Sequence, residues 1–170
     1  MMRYRFIDEV LTLDLGARPR IEVAKTFAAG DDAFSGPLGP DRVPNALVLE
    51  LLAMTGGHLA FRHGGARRLP LLLKVPECRF ESVARAGQRL RAIATLDGTS
   101  TLSEDAGMAE ASVEVFSTTT RIAAGRMLYL CVAISGADLT RFAESREHTC
   151  DGQEELTATG RQGPGPSRSK

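Results

Sequence analysis

Residues 34–61 decide the fold of this chain, and their sequence is FSGPLGPDRVPNALVLELLAMTGGHLAF. Before Asn45, Gly and Pro recur at close intervals, which is typical of turns. From Asn45 onward, apolar residues occupy nearly every side of a helical wheel, and a helix that is apolar all round is a buried one. Pro44 suits the first turn of such a helix, and Gly64-Gly65 ends it. The stretch therefore predicts a turn-rich loop followed by one long, buried helix.

Glu50 is the one carboxylate within this predicted helix. The side chains one turn away from it are all apolar: Ala46, Leu47, Ala53 and Met54. A lone charge in such a setting is costly unless it is paired, protonated or used for chemistry. Two interpretations stay open. Either the glutamate reaches an arginine or the helix rim, or its carboxyl is kept in an apolar cavity for catalysis or substrate binding.

The same stretch resembles the hot-dog-fold 3-hydroxyacyl-acyl-carrier-protein dehydratases of bacterial fatty-acid synthesis. That family has a Phe, a Gly-His-Phe-Pro, a Met-Pro-Gly-Val-Leu and, two residues later, a Glu followed by Ala-Met-Ala-Gln. The residues that fall on this pattern are Phe34, Gly36, Pro44, Leu47, Glu50, Ala53 and Met54. The family's second block, an Arg-Phe, a Pro-Val and a Gly-Asp-Gln-Leu, is matched by Arg79-Phe80, Val83, Gly87-Gln88 and Leu90. The resemblance covers residues 6–135.

The chain departs from that family at the catalytic histidine, because Pro37 stands in its place. Asn45 replaces the Gly that lets the thioester approach the helix start, and Thr55 replaces the helix Gln. His58 is a poor geometric substitute for the missing histidine, since it lies eight residues beyond Glu50, about 80° round the helical wheel. The site residues that the resemblance implies are Glu50 for catalysis, and Asn45, Ala46, Pro37 and Met54 for substrate binding.

The resemblance implies a protein that acts on or binds acyl thioesters in fatty-acid or polyketide-like synthesis. In that family a His removes the C2 proton, a carboxyl handles the leaving hydroxyl, and helix N-terminal amides polarise the thioester carbonyl. With Pro37 in place of the His, we expect a dehydratase-type protein that is impaired as a homodimer. Two alternatives are an acyl thioesterase, which needs only a carboxylate to activate water, and a non-catalytic acyl-binding or heterodimer subunit.

Apolar alternation predicts about six strands, mostly antiparallel. They are expected at residues 9–15, 20–27, 71–75 (ending at Pro76), 88–96, 108–119 and 126–134. Both faces of the last strand are apolar, which predicts a place inside the sheet. Together with the helix, the strands predict an α+β layer architecture. The resemblance implies the hot-dog fold, a sheet wrapped around the central helix, with two protomers joined along their sheets.

Composition sets the remaining expectations. Residues 1–143 form the predicted hot-dog domain, and residues 144–170, with few large apolar side chains, are expected to be a disordered tail. The formal net charge of zero gives no support for a nucleic-acid partner. No segment approaches the length of a membrane span, and three widely spaced cysteines suit a cytoplasmic protein.

No His or Cys pair has metal-ligand spacing, so neither a metal nor a cofactor is expected. The expected partners are an acyl-carrier-protein or acyl-CoA thioester and a second protomer. That protomer forms a homodimer, an oligomer of dimers, or a heterodimer with a His-bearing homologue. The arginines Arg62, Arg67, Arg68, Arg79, Arg85, Arg89 and Arg91 are interpreted mainly as solvated charge, with a docking face for an acidic carrier protein as the alternative.

Overall fold

The computed structural model describes residues 6–28 and 41–133. These residues form a six-stranded antiparallel sheet and one helix. The strands are β1 (Glu9–Asp14), β2 (Arg20–Thr26), β3 (Arg68–Phe80), β4 (Arg89–Thr101), β5 (Ala106–Ser117) and β6 (Thr120–Ala133), and the helix is α1 (Asn45–His63). Across the sheet the strands follow the order β1-β2-β4-β5-β6-β3. The predicted α+β class, with about six strands and one central helix, is confirmed.

The helix packs against one face of the sheet, and the strand patterning explains why. In β5, buried residues alternate with half-buried ones, as a strand with one covered face requires. The buried face of the central strands is rich in small side chains: Ala92 and Ala94 on β4, Ala109 and Ala111 on β5. Because these side chains are short, the backbone of α1 can lie close to the sheet.

The ends of α1 lie where the sequence places them. Pro44 precedes the first helical residue, Asn45, and the N–H of Gly64 donates to the Ala60 carbonyl oxygen (3.0 Å) at the other end. Arg62 and His63 occupy the last turn, where positive charge is favoured by the helix dipole. The predicted start and end of the helix are confirmed.

β3 is longer than predicted and does not stop at Pro76. It runs from Arg68 to Phe80 and pairs only with β6 among the described strands, so one side of its backbone has no strand beside it. The register shifts between Lys74 and Glu77, around Pro76. Proline lacks an N–H donor, and an edge strand or a bulge tolerates that loss. The predicted end of the strand at Pro76 is therefore wrong, because β3 is an edge strand and continues past the proline.

The hairpins on either side of β5 are also tighter than expected. The predicted strands 88–96 and 108–119 leave residues 97–107 between them, but β4 reaches Thr101 and β5 begins at Ala106, so most of this segment is strand. The last strand was predicted to begin at residue 126, but β6 begins at Thr120 and includes Gly125. A Cβ on Gly125 would be 2.7 Å from the Glu77 carbonyl oxygen, so glycine there permits the close approach of β3.

Several predictions fall outside the described residues. They concern Phe34, Gly36 and Pro37, the domain boundary after residue 143, and the tail at 144–170. Within the described residues, no helix combines the length and the apolar character needed to cross a membrane.

Candidate functional site

One side of α1 is left uncovered by the sheet in the first half of the helix. Val48, Leu51 and Leu52 are buried against the strands. Ala46 and Glu50 are exposed and Met54 is half-buried, each four residues from the next and therefore on one side of the helix. These three residues are called the open stripe below. The expected burial of the helix on all sides is wrong here, because the sheet covers only part of its circumference.

Glu50 lies at the surface of the chain rather than in an apolar cavity. Of the two interpretations of Glu50, the one that places it in an apolar cavity is wrong for the single chain. The apolar residues one turn away either face the sheet or are themselves partly open to solvent. Within residues 6–28 and 41–133, Glu50 makes no ion pair with an arginine or lysine. An exposed carboxylate without a cationic partner is available to a ligand or to water.

The start of α1 provides hydrogen-bond donors beside this carboxylate. Pro44 makes no side-chain cap and the first turn contains no acidic residue. The first N–H groups of a helix have no carbonyl partner within it, so those of Asn45 and Ala46 point outward with partial positive charge. Both residues are exposed. Ala46 precedes Glu50 by one turn, about 6 Å along the helix axis.

Tyr129 of β6 holds the helix beneath the open stripe. Its hydroxyl donates a hydrogen bond to the Ala53 carbonyl oxygen (2.8 Å), and only 1% of the residue is exposed. Burial raises the pKa of Tyr129 strongly, and the negative charge of Glu50 contributes in the same direction. The hydroxyl therefore stays protonated at neutral pH and positions the helix rather than acting as a base.

Sequence reasoning did not single out Tyr129. The signal that could have found it is the pair Gly56-Gly57 inside the helix, because glycine in a helix interior is costly and often marks a close neighbour. A Cβ on Gly56 would be 2.4 Å from the Tyr129 hydroxyl. The glycine is therefore required by the tyrosine that packs against it.

Among residues 6–28 and 41–133, the other titratable groups with a raised pKa or a buried side chain lie away from the open stripe. Burial raises the pKa of the Cys78 and Cys131 thiols, so neither is favoured as a thiolate nucleophile. Lys25 is buried and pairs with Asp8 (2.9 Å). His58 is buried in the second half of α1, about 12 Å along the axis from Glu50.

The structure brings together four of the five predicted site residues: Asn45, Ala46, Glu50 and Met54 are all in the first half of α1. Pro37 lies outside the described residues. Among the residues that are described, no group of three or more His, Cys, Asp or Glu could hold a metal ion. The expectation of a site without metal stays a prediction.

The open edge of β3 is the second unusual surface. Leu71, Leu72 and Leu73 are 46%, 45% and 56% exposed. An edge strand with exposed leucines can pair with another strand, and contiguous exposed apolar residues mark interaction sites. The edge lies next to the helix, since a Cβ on Gly57 would be 3.9 Å from Cγ of Pro70 in β3.

Comparison with solved structures identifies the architecture. yhdA of Lactococcus lactis, whose name assigns it provisionally to the thioesterases, superposes with a TM-score of 0.59 at 10% identity, over 75% of this chain and 95% of that one. A hypothetical thioesterase of Streptococcus pneumoniae, solved with coenzyme A, gives 0.56 at 7% identity, over 74% and 85%. The uncharacterised protein PH1136 of Pyrococcus horikoshii gives 0.55 at 18% identity, over 79% and 88%.

Sequence comparison adds no closer assignment, since no protein-family model and no curated protein matches. At these identities the structural likeness establishes the fold and nothing finer. The chain has the hot-dog fold, a six-stranded antiparallel sheet packed on one helix.

Proposed function

We propose that this chain is an acyl thioester hydrolase of the hot-dog type, in which the Glu50 carboxylate activates the attacking water. The observation that carries the proposal is the position of Glu50: exposed, without a cationic partner among the described residues, and one turn beyond the uncapped start of α1. Hydrolysis of a thioester needs a general base for water and hydrogen-bond donors for the carbonyl oxygen, and a carboxylate beside free backbone N–H groups supplies both.

The structural neighbours support this proposal over a dehydratase. Two of those described above are named as thioesterases, and the one from Streptococcus pneumoniae was solved with coenzyme A. A dehydratase of the family that the sequence resembles needs a histidine as well as the glutamate. Neither described histidine can serve within the chain, because His58 is buried and His63 lies at the far end of the helix.

The proposed reaction uses two parts of α1. The thioester carbonyl oxygen accepts hydrogen bonds from the N–H groups of Asn45 and Ala46, which stabilise the negative charge of the tetrahedral intermediate. The carboxylate of Glu50 removes a proton from water as its oxygen attacks the carbonyl carbon. The C–S bond then breaks, and the proton held by Glu50 passes to the leaving thiolate. The products are a free thiol and a carboxylic acid.

The proposal includes a dimer formed along β3. The exposed leucines of β3 lie on the sheet edge beside the helix, so a second copy pairing there would also lie close to the open stripe. Such a dimer would remove Glu50 from bulk water and strengthen its interaction with a bound thioester. It would also supply the apolar surroundings that the single chain lacks around the carboxylate.

A dehydratase-type half-site is the second candidate, favoured by the residues that match that family's motif. Glu50 would then act on the leaving hydroxyl of a 3-hydroxyacyl thioester. A His-bearing homologue in a heterodimer would supply the base. The two candidates differ in their products, since hydrolysis releases a thiol whereas dehydration leaves the thioester intact and forms a double bond.

The two functions can be separated with one substrate, a 3-hydroxyacyl-CoA of medium length, incubated with the pure full-length protein. We expect release of free CoA, followed with a thiol reagent, and no enoyl thioester in the same samples analysed by mass spectrometry. Enoyl-CoA without thiol release, formed only when the chain is co-expressed with a His-bearing homologue, would instead support the dehydratase half-site. A series of saturated acyl-CoA substrates provides the control, because these can be hydrolysed but not dehydrated.

The dimer edge gives a separate prediction. The double substitution Leu71→Lys/Leu73→Lys places charge on the β3 edge, where lysine opposes strand pairing. We expect a monomer by light scattering, with little change in melting temperature, because both side chains are already half-exposed. Val10→Lys, on the opposite edge strand β1, is the matched control and should leave the dimer intact. A wild-type monomer, or a dimer that survives the β3 lysines, contradicts the proposed interface.

A further inference from the structure

Two arginines from distant parts of the sequence lie directly opposite each other just before α1. Arg42 and Arg85 form an isolated antiparallel bridge. The N–H of Val43 donates to the Ala84 carbonyl oxygen (3.0 Å), and that of Ala86 donates to the Asp41 carbonyl oxygen (3.0 Å). These bonds flank the pair, which is therefore the non-hydrogen-bonded kind, in which opposite side chains come closest.

The burial of the neighbouring residues shows which way the arginines point. Val43 and Ala84, the adjacent opposed pair, are 1% and 2% exposed and belong to the core. Successive side chains of an extended segment alternate between faces, so Arg42 and Arg85 point together to the outside. Both are exposed. The two guanidinium groups thus share one small area of surface.

The twelve described arginines divide evenly into those with and those without a carboxylate partner. Six described arginines are paired with carboxylates: Arg20, Arg79, Arg89, Arg91, Arg121 and Arg126. Arg42 and Arg85 have no such partner among the described residues. Like charges directly opposite each other on paired strands are destabilising. A shared anion would relieve this repulsion, and guanidinium groups are well suited to phosphate because they donate parallel hydrogen bonds.

We propose that Arg42 and Arg85 bind a phosphate group of the pantetheine-linked carrier to which the acyl chain is attached. This inference rests on the proposed thioester chemistry and adds the residues that recognise the carrier. Free coenzyme A and the prosthetic group of a carrier protein both have a phosphate attached to pantetheine.

The distance to the open stripe fits such a carrier. Two residues separate Arg42 from Asn45 at the helix start, and the three steps along the chain span at most about 10 Å. From Asn45 to Glu50 the helix rises about 7.5 Å. The backbones of Arg42 and Glu50 are therefore at most about 18 Å apart, a gap that an extended pantetheine arm can cross. The thioester would then lie at the helix start while the phosphate rests between the two arginines.

The test uses thioether analogues, which cannot be hydrolysed, so that binding is measured without turnover. The full-length protein is titrated by calorimetry with S-hexyl-CoA, S-hexyl-phosphopantetheine and S-hexyl-pantetheine. We expect Arg42→Ala and Arg85→Ala each to weaken binding of a phosphorylated analogue about tenfold, and to leave S-hexyl-pantetheine unaffected. If S-hexyl-phosphopantetheine shows the effect, the pair binds the phosphate common to both carriers. If only S-hexyl-CoA does, it binds the nucleotide phosphates.

Arg18→Ala is the matched control. Like Arg42 and Arg85, Arg18 is exposed and has no ion-pair partner among the described residues, but it lies in the β1–β2 turn and is not part of the arginine pair. It should bind all three analogues as the wild type does. Equal losses of affinity for phosphorylated and unphosphorylated analogues in the Arg42→Ala and Arg85→Ala variants would overturn the inference. Wild-type affinity in the variant that carries both substitutions would also overturn it, as would a wild-type protein that binds none of the analogues. Arginine-dependent binding with no turnover of acyl-CoA would refute only the proposed hydrolysis.

Discussion

Replacing Gly56 with alanine is expected to destabilise the protein by about 2 kcal/mol, although glycine-to-alanine changes inside helices normally stabilise. The new Cβ would be 2.4 Å from the Tyr129 hydroxyl and 3.2 Å from Cγ1 of Val113. Tyr129 cannot easily withdraw, because its ring is buried and its hydroxyl is bonded to the Ala53 carbonyl. Chemical denaturation of the wild type and of Gly56→Ala measures the difference in their free energies of unfolding. The comparison requires that both proteins unfold with the same m-value.

The neighbouring glycine gives the control, with the opposite sign. A Cβ on Gly57 would be 3.4 Å from Cε1 of Tyr129, an ordinary van der Waals contact. Gly57→Ala should therefore be neutral or stabilise by up to about 1 kcal/mol through helix propensity. Equal effects of the two alanines would show that the contact with Tyr129 does not constrain the helix.

Combining Gly56→Ala with Tyr129→Phe tests whether the tyrosine hydroxyl is the atom that makes the alanine destabilising. Tyr129→Phe removes the hydroxyl and should itself cost about 1 kcal/mol, the worth of one hydrogen bond. In that background Gly56→Ala loses its closest contact, and we expect its cost to fall by at least about 1 kcal/mol. Contacting residues commonly show non-additivity of this size. Additive effects would contradict the assignment to the hydroxyl.

The parts of the fold that follow from local chemistry could be predicted. The helix from Asn45 to His63 has proline before it and glycine after it, and the first hairpin has alternating residues on both strands. β3 could not be delimited, because a proline stops an interior strand but not an edge strand. Which strand forms an edge depends on pairing between distant segments, and that is not a local property of the sequence.

The site was only partly predictable for the same reason. Glu50 could be identified from its apolar neighbours, but its exposure could not, since a helical wheel does not show which side the sheet covers. Arg42 and Arg85 are far apart in the chain and meet only because Val43 and Ala84 pair before the helix. Tyr129 belongs to a strand that is apolar on both faces, so nothing local distinguishes it from its neighbours.

Glu50→Gln tests whether this carboxylate activates water for thioester hydrolysis. The side chain is exposed, so the amide should leave the free energy of unfolding within about 0.5 kcal/mol of the wild-type value. The amide cannot accept the proton, and a general base is typically worth about 10²–10⁴-fold in rate. Glu104→Gln, in the loop between β4 and β5, removes the same charge from an exposed position away from α1 and is the control.

The decisive measurement is the kcat for release of CoA from a medium-chain acyl-CoA by the pure protein, by Glu50→Gln and by Glu104→Gln. We expect turnover in the wild type and in Glu104→Gln, and a kcat at least about 100-fold lower in Glu50→Gln with an unchanged melting curve. A Glu50→Gln protein that releases CoA at the wild-type rate would contradict a catalytic role of this carboxylate.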